Sequence, residues 1–598
     1  MSKLKQKGLT AILLLFCLLQ LQAQRFFLPK SEFQPQTPQK KLFLKVINLD
    51  SATSKGFVMP DYAKVLGSTK ERQKELQNLL NTIHDQSYLT ATIDSMVQDT
   101  SKLTAFLTLG KSYKWAYLRK GNVDEVAINL SGFREKIFQN KPFYFKTASK
   151  LMTRVLGYYE DHGYPFTKVK LDSISINDNT ISASLKVDKN RAETIDSIVV
   201  VGTLKISPNY LYGYLGIKPG DLYDESKVEA ISNRLRALPF LAELKPLQVV
   251  FIQDKTKIVL YLAKKNSNQF NGILGILPNT TGKITVTGDV NLQLRNAFRH
   301  GDDLGFHWQH LQPLTEKLLI NFSYPYLFHT PIGVDENFNL FKQDTTYIQL
   351  DNKLGLKYLF IGGDYFEVYY ESIVTSLLST SGLQNITTLP PYTNATTDLY
   401  GIEYKVRHLD YIYNPRRGYE FLSSAAAGNK IIRENSAINP DAYAGLQFNT
   451  IEYRANILAD CYLPVASRAA IKFGVNGGYI QDPSLLLNDL YRIGGLEVLR
   501  GFNEQSVYVS QYAVGTVEFH YLLEQNSFFF LFYDQGYVRQ TLPSSIQYYY
   551  DTPSGFGAGM DFQTKAGIFS LSYALGNAKG NPLNFSTGKI NFGIVNYF

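Results

Sequence analysis

Apolar and polar residues alternate by one rule up to about residue 265 and by another after it. In the first stretch the apolar positions recur at helical spacing. Leu76, Leu79, Leu80 and Ile83 form one face of an amphipathic helix, and Ser68 with Glu71 reads as a capping box in front of it. A second helix carries Leu151, Met152, Val155, Leu156 and Tyr159 and stops at His162-Gly163-Tyr164-Pro165. A third is opened by Asp224, carries Val228, Ile231, Leu235 and Leu238, and ends before Pro239. Each helix precedes two strand-like runs around a polar turn, and the turns centre near Asp99, Asp178 and Asp254, about 76–79 residues apart. A β–α–β–β pattern at that period predicts tandem small α+β modules.

After residue 266 the helical period gives way to a period of two. In "KITVTGDVNLQLR", Ile284, Val286, Val290, Leu292 and Leu294 share one face, and Thr285, Thr287, Asp289, Asn291, Gln293 and Arg295 the other. "KLLINFSYPY" repeats the alternation, and "NKLGLKYLF" turns at "IGGD" into "YFEVYYESIV" as a hairpin would. Strands apolar on one face and polar on the other suit a barrel with lipid outside and water inside. The remaining length, at roughly 20 residues per strand and connection, predicts about 16 antiparallel strands.

Composition sharpens this picture. Of 598 residues 14% are aromatic, yet the mean hydropathy is −0.15. No apolar run after residue 24 is long enough to cross a bilayer as a helix. Lys3, Lys5 and Lys7 before the apolar Leu9–Leu19 predict a signal peptide over residues 1–23. The mature chain then keeps only Cys461, which excludes an internal disulfide. The net charge of +9 is scattered rather than gathered on one face, which argues against nucleic acid as a partner. His300, His307 and His310 lie near Asp302 and Asp303, but two strand residues three apart point to opposite faces. Neither a metal site nor a catalytic constellation follows, so no cofactor and no enzymatic activity are expected.

Three motifs fall in the second half. "LYRIGGLEVLRGFNEQ" holds Gly494, Gly495, Arg500, Gly501 and Phe502. "FFFLFYDQGYV" holds Phe532, Asp534 and Gly536 at Phe-x-Asp-x-Gly spacing. The C-terminal "KINFGIVNYF" ends a period-two run on an aromatic, with Asn591, Gly593 and Phe598. A guanidinium inside a narrow barrel has to be matched by fixed carboxylates, because arginine does not give up its proton.

Together these features resemble the BamA/TamA superfamily of outer-membrane assembly factors and two-partner-secretion transporters, with TamA-like members the most similar in module number. That resemblance implies POTRA modules over 24–120, 121–190 and 191–265, followed by a 16-stranded outer-membrane barrel over 266–598. It implies that an inward-folded loop places Arg500 against Asp534, with Leu499 standing where valine is common, and Glu518 is then a second candidate acid for the guanidinium. Pro415 and Gly418 match a mid-barrel turn, and Phe598 an assembly signal, although Asn596 replaces the usual apolar residue. The implied activity is capture of unfolded outer-membrane clients by periplasmic modules and their insertion through the barrel seam. The bilayer and periplasmic or lipoprotein factors would be partners. Alternatives are a two-partner-secretion transporter, which passes a chain through the lumen, or a passive channel.

Overall fold

A computed structural model describes residues 41–598 apart from 51–56, 253–254, 279–283, 313, 388, 413, 543–548, 565–566, 581–582 and 598. The expected signal peptide, the turn at Asp254 and Phe598 therefore lie outside the described residues.

Three small sheets precede the barrel. In each, a first strand pairs parallel with the last, and the last pairs antiparallel with the one before it. The first sheet contains Leu42–Asn48, Thr92–Gln98 and Lys102–Thr108, with the helix Thr69–Asp85 between strands. The Ser68 hydroxyl accepts the Glu71 N–H at 3.2 Å, and the Glu71 carboxylate accepts the Gly67 N–H at 2.9 Å. Leu76, Leu79 and Ile83 are its buried face. The second sheet contains Lys114–Arg119, Lys168–Asn177 and Thr180–Asp188 over the helix Phe145–Glu160. Lys114–Arg119 pairs with Thr180 to Ser184. This differs from the sequence-derived boundary at 120, which left that strand in the first module. A short strand without a helix beside it carries no period that assigns it to one side or the other.

The third sheet, Ile195–Gly202, Leu241–Ile252 and Lys255–Lys264, packs with two helices, Pro208–Leu215 and Glu225–Arg236. Asp224 caps the second by accepting the Lys227 N–H at 3.1 Å. Val228, Ile231 and Leu235 reach a core shared with Ile258, Leu260 and Leu262. Ile231 is fully buried, so Ile231→Ala should destabilise this module by about 2–5 kcal/mol. The expected readout is faster amide exchange over 225–236 in the full chain, with the barrel's exchange unchanged.

The barrel closes in chain order from Gln269–Pro278 to Lys589–Tyr597, every neighbour antiparallel. Tyr549–Asp551 and Ser554–Thr564 pair with the same neighbour and act as one strand, which makes sixteen. Its interior face is polar. Asp289 meets His307 at 2.9 Å, Ser323 meets Asp335 at 2.7 Å, and Lys353 meets Glu403 at 2.9 Å. The outer face carries exposed apolar and aromatic residues such as Leu356, Val368, Ile402, Phe473 and Leu531. His307 thus serves an interior hydrogen bond. No described helix is long and apolar enough to cross a membrane; the spans are strands.

The third module is built into the barrel's near rim. Tyr326, from the turn after Thr315–Tyr324, joins the module's core beside Tyr210 and Tyr214. The Gly362 N–H donates to the Tyr214 carbonyl at 3.0 Å. A Cβ on Gly301 would stand 1.9 Å from the Tyr210 ring, so that turn approaches only because the residue is glycine. Burial pushes the Tyr214 hydroxyl up to about 12, and it donates to the Arg234 carbonyl at 3.1 Å.

Candidate functional site: a loop folded into the barrel and a short seam

The connection between Ala469–Gln481 and Gln511–Glu524 is the 482–510 loop. Tyr491–Ile493 and Val507–Val509 pair antiparallel and bring it in as a narrow ribbon. Beyond the ribbon the backbone turns with φ 104° at Gly494 and 111° at Gly495, a region open to glycine and costly for other residues. Leu499 also holds a left-handed φ of 61°. Its side chain is buried among Ile493, Val509, Val514 and Val538, which offsets the local cost of about 1–2 kcal/mol. Gly536 makes room for it, since a Cβ there would touch the Leu499 Cδ1 at 3.4 Å.

That packing aims Arg500 at the wall. Its Nε donates to Asp534 Oδ2 at 2.9 Å and its Nη2 to Oδ1 at 2.7 Å, a two-pronged fork. Its own backbone N–H adds a third bond to Asp534 at 3.0 Å. Nη1 donates to Glu518. Asp534 also accepts from the Thr516 hydroxyl at 2.9 Å, and the other Glu518 oxygen lies 2.5 Å from His520 Nε2. The guanidinium sits 3.6 Å from the centroid of the Phe532 ring, a cation–π contact. Burial works against the arginine's charge, but the Asp534 hydrogen bond and the Glu518 charge outweigh it and hold the guanidinium above its ordinary value.

The structure therefore brings Arg500, Asp534, Glu518 and Phe532 together at one point. Gly501 takes φ 95° and lies so close to the wall that a Cβ would stand 2.5 Å from the Leu575 carbonyl carbon. Phe502 packs over Gly576, where an added Cβ would be 3.0 Å from its ring. Sequence reasoning missed Thr516 and His520 as orienting groups, and also Gly555 and Gly576, which form the floor under the tip. Both glycines lie in period-two runs, where a small residue gives no sign of the chain packed on it. A Cβ on Gly555 would stand 1.9 Å from the Arg500 carbonyl oxygen. Gly555→Ala should therefore displace the tip while leaving every charge in place. Faster tryptic cleavage after Arg500 than in the unaltered protein is the expected result.

The C-terminal residues lie at a different place, the closure of the barrel. Asn591 stands opposite Ser572 and Gly593 opposite Ser570, within a seven-pair ladder on one side of the last strand. On its other side, among the described residues, the last strand meets the first through two pairs, Gln269 with Tyr597 and Phe270 with Asn596. The first strand makes ten pairs with its other neighbour. A Cβ on Gly593 would touch nothing within 4 Å.

Sixteen closed antiparallel strands, an α+β module built into the rim and a loop pinned inside define a class: barrel proteins of the outer membrane that carry an α+β module at the rim. Residues 296–598 match the Omp85 superfamily domain, and residues 193–264 match the POTRA surface antigen variable number repeat. The chain belongs to the Omp85 superfamily. It is an outer-membrane protein with its modules in the periplasm, and its work there is protein insertion or translocation. Among solved structures, BamA from Haemophilus ducreyi lacking POTRA domains 1–3 is 15% identical over 81% of this chain and 99% of that one, with a TM-score of 0.44. CdiB from Acinetobacter baumannii is 14% identical over 88% and 98%, at 0.48. CdiB from Escherichia coli is 11% identical over 88% and 98%, at 0.49. No curated protein matches the chain in sequence.

Proposed function

We propose that this protein inserts unfolded β-barrel clients into the outer membrane by opening the seam between Gln269–Pro278 and Lys589–Tyr597, with no chemistry of its own. The observation that carries the reading is the two-pair seam beside ladders of ten and seven. An antiparallel ladder is held by its hydrogen bonds and cross-strand contacts, so this junction needs the least disruption to part. A parted seam exposes unpaired strand edges that accept a client strand through main-chain hydrogen bonds. The seam strands are also short. They run 10 and 9 residues, against 15 in Gly418–Ile432 and 18 in Asn449–Ala466. That is close to the least a tilted strand needs to span, about 9–11 residues.

Client capture falls to the modules. Thr92–Gln98 and Lys168–Asn177 are edge strands of their sheets, with Met96, Val97, Ile174 and Ile176 exposed. Such edges add an extended peptide without demanding a particular sequence. They also offer sites for periplasmic or lipoprotein partners. The loop folded into the lumen weighs against a passive channel. The test is reconstitution into liposomes and addition of a urea-unfolded outer-membrane protein. The insertion reading expects client folding to accelerate. Unchanged folding accompanied by a steady ion current would instead favour a transporter or channel.

A further inference from the structure

The arginine tip is one end of the lumenal loop. The other end, residues 482–490, enters the barrel through a second set of buried charges. Lys430, on the strand Gly418–Ile432, has no exposed surface. Its ammonium donates to the Ser484 carbonyl at 2.9 Å and to the Asp489 carboxylate, with Asp482 3.9 Å away. Both acids are held in place. Asp489 accepts the Leu486 N–H at 2.8 Å. Asp482 accepts the Ser484 N–H at 2.6 Å and the Thr450 hydroxyl at 2.5 Å. Leu486 packs against Ala395 and Ile432 over this group. Burying a lysine completely is costly unless its ammonium is hydrogen-bonded and paired this closely, so the arrangement is structural rather than a solvated interior pair.

The same root grips the wall further round. Gln349 donates to the Asn488 carbonyl at 3.0 Å. Arg492 donates to the Tyr347 hydroxyl at 2.9 Å and lies 3.8 Å from the centroid of Phe341. Phe341, Tyr347 and Lys430 sit on the fifth, sixth and ninth strands of the ring. The tip rests on the twelfth to fifteenth, through Glu518, Asp534, Gly555 and Gly576. In a ring of sixteen, the fifth and sixth strands lie half a circumference from the thirteenth and fourteenth. The loop therefore crosses the lumen and is fastened at both sides.

We propose that Lys430 is a second anchor of this loop, independent of Arg500, and that the loop is a strut whose root closes the outer end of the lumen while its tip braces the wall next to the seam. This goes beyond client insertion, because it concerns what the barrel lets through when no client is present. The test uses the full-length protein in planar bilayers, with Lys430→Met, Asp489→Asn and the double variant, and Arg500→Ala for comparison. Lys430→Met should raise the fraction of time spent conducting on the order of a hundredfold or more, the scale on which a buried charge responds to loss of its partner. It should also open the bond after Arg492 to trypsin added from the outer side. Asp489→Asn keeps the shape of the side chain and should act in the same direction, so a failure of Lys430→Met to assemble leaves the test intact. The double variant should do no more than the stronger single one, since both break one interaction. Arg500→Ala should leave the Arg492 bond protected. Wild-type conductance and protection in both single variants would overturn the proposal, as would additive effects of the two or exposure of Arg492 by Arg500→Ala.

Discussion

Asp534→Ala should release the loop tip and cost the closed arrangement about 3–5 kcal/mol, a shift of a hundredfold or more in the pinned-to-free ratio. Most of that comes from leaving the Arg500 charge without its fork. Arg500 makes three hydrogen bonds to Asp534 and one to Glu518, and the Asp534 side chain is 2% exposed. Glu518→Ala should accordingly have the smaller effect, because the fork survives. Arg500→Lys should behave like a loss rather than a conservative change, since an ammonium does not span both carboxylate oxygens in plane. Trypsin reads the outcome directly. In Asp534→Ala the bond between Arg500 and Gly501 is intact chemically but freed from the wall, so cleavage there should rise. The temperature at which the barrel loses its compact gel mobility should fall alongside.

Closing the seam covalently should abolish client insertion. Phe270 and Asn596 stand directly opposite one another in one of the two seam pairs. Opposed residues of an antiparallel pair have Cα atoms roughly 4.5–5.5 Å apart, within the range a disulfide bridges. Phe270→Cys with Asn596→Cys, in a Cys461→Ser background because Cys461 is exposed, should be inactive when oxidised and active again after reduction. A control pair tests whether the effect belongs to the seam. Ser570 and Gly593 are also opposed, but within the seven-pair ladder that has no reason to part. Cysteines at those two positions should leave insertion unchanged in either redox state.

The features legible in the sequence are those with a local period or a short motif. The helices at Thr69–Asp85 and Glu225–Arg236 show amphipathic spacing and capping side chains. The barrel shows strict alternation, and Arg500 and Asp534 announce themselves through glycine-flanked motifs. The helix Pro208–Leu215 was not legible, because its buried tyrosines face the barrel turn at Tyr326 as well as their own sheet. Burial on more than one side blurs a helical stripe. Lys430 was hidden for another reason. Its partner Asp489 lies 59 residues away, and a lysine on the polar face of a barrel strand has the same local pattern whether it faces water or is sealed under a loop. The sparse seam pairing was half visible. Gly593 and Asn596 mark a poor strand end, but the register between first and last strands is set by closure of the whole ring.

The most direct test of the central claim is where a client touches the barrel as it enters. A photo-reactive residue is placed at position 270, where Phe270 of the first strand is exposed on the outward face in a seam pair, or at position 456, where Asn456 accepts the Tyr491 hydroxyl on the interior wall. A client stalled midway through insertion is then cross-linked in the membrane. Opening of the seam predicts adducts at 270 and none at 456. Adducts at 456 without any at 270 would mean that the chain travels through the lumen, and that insertion at the seam is wrong.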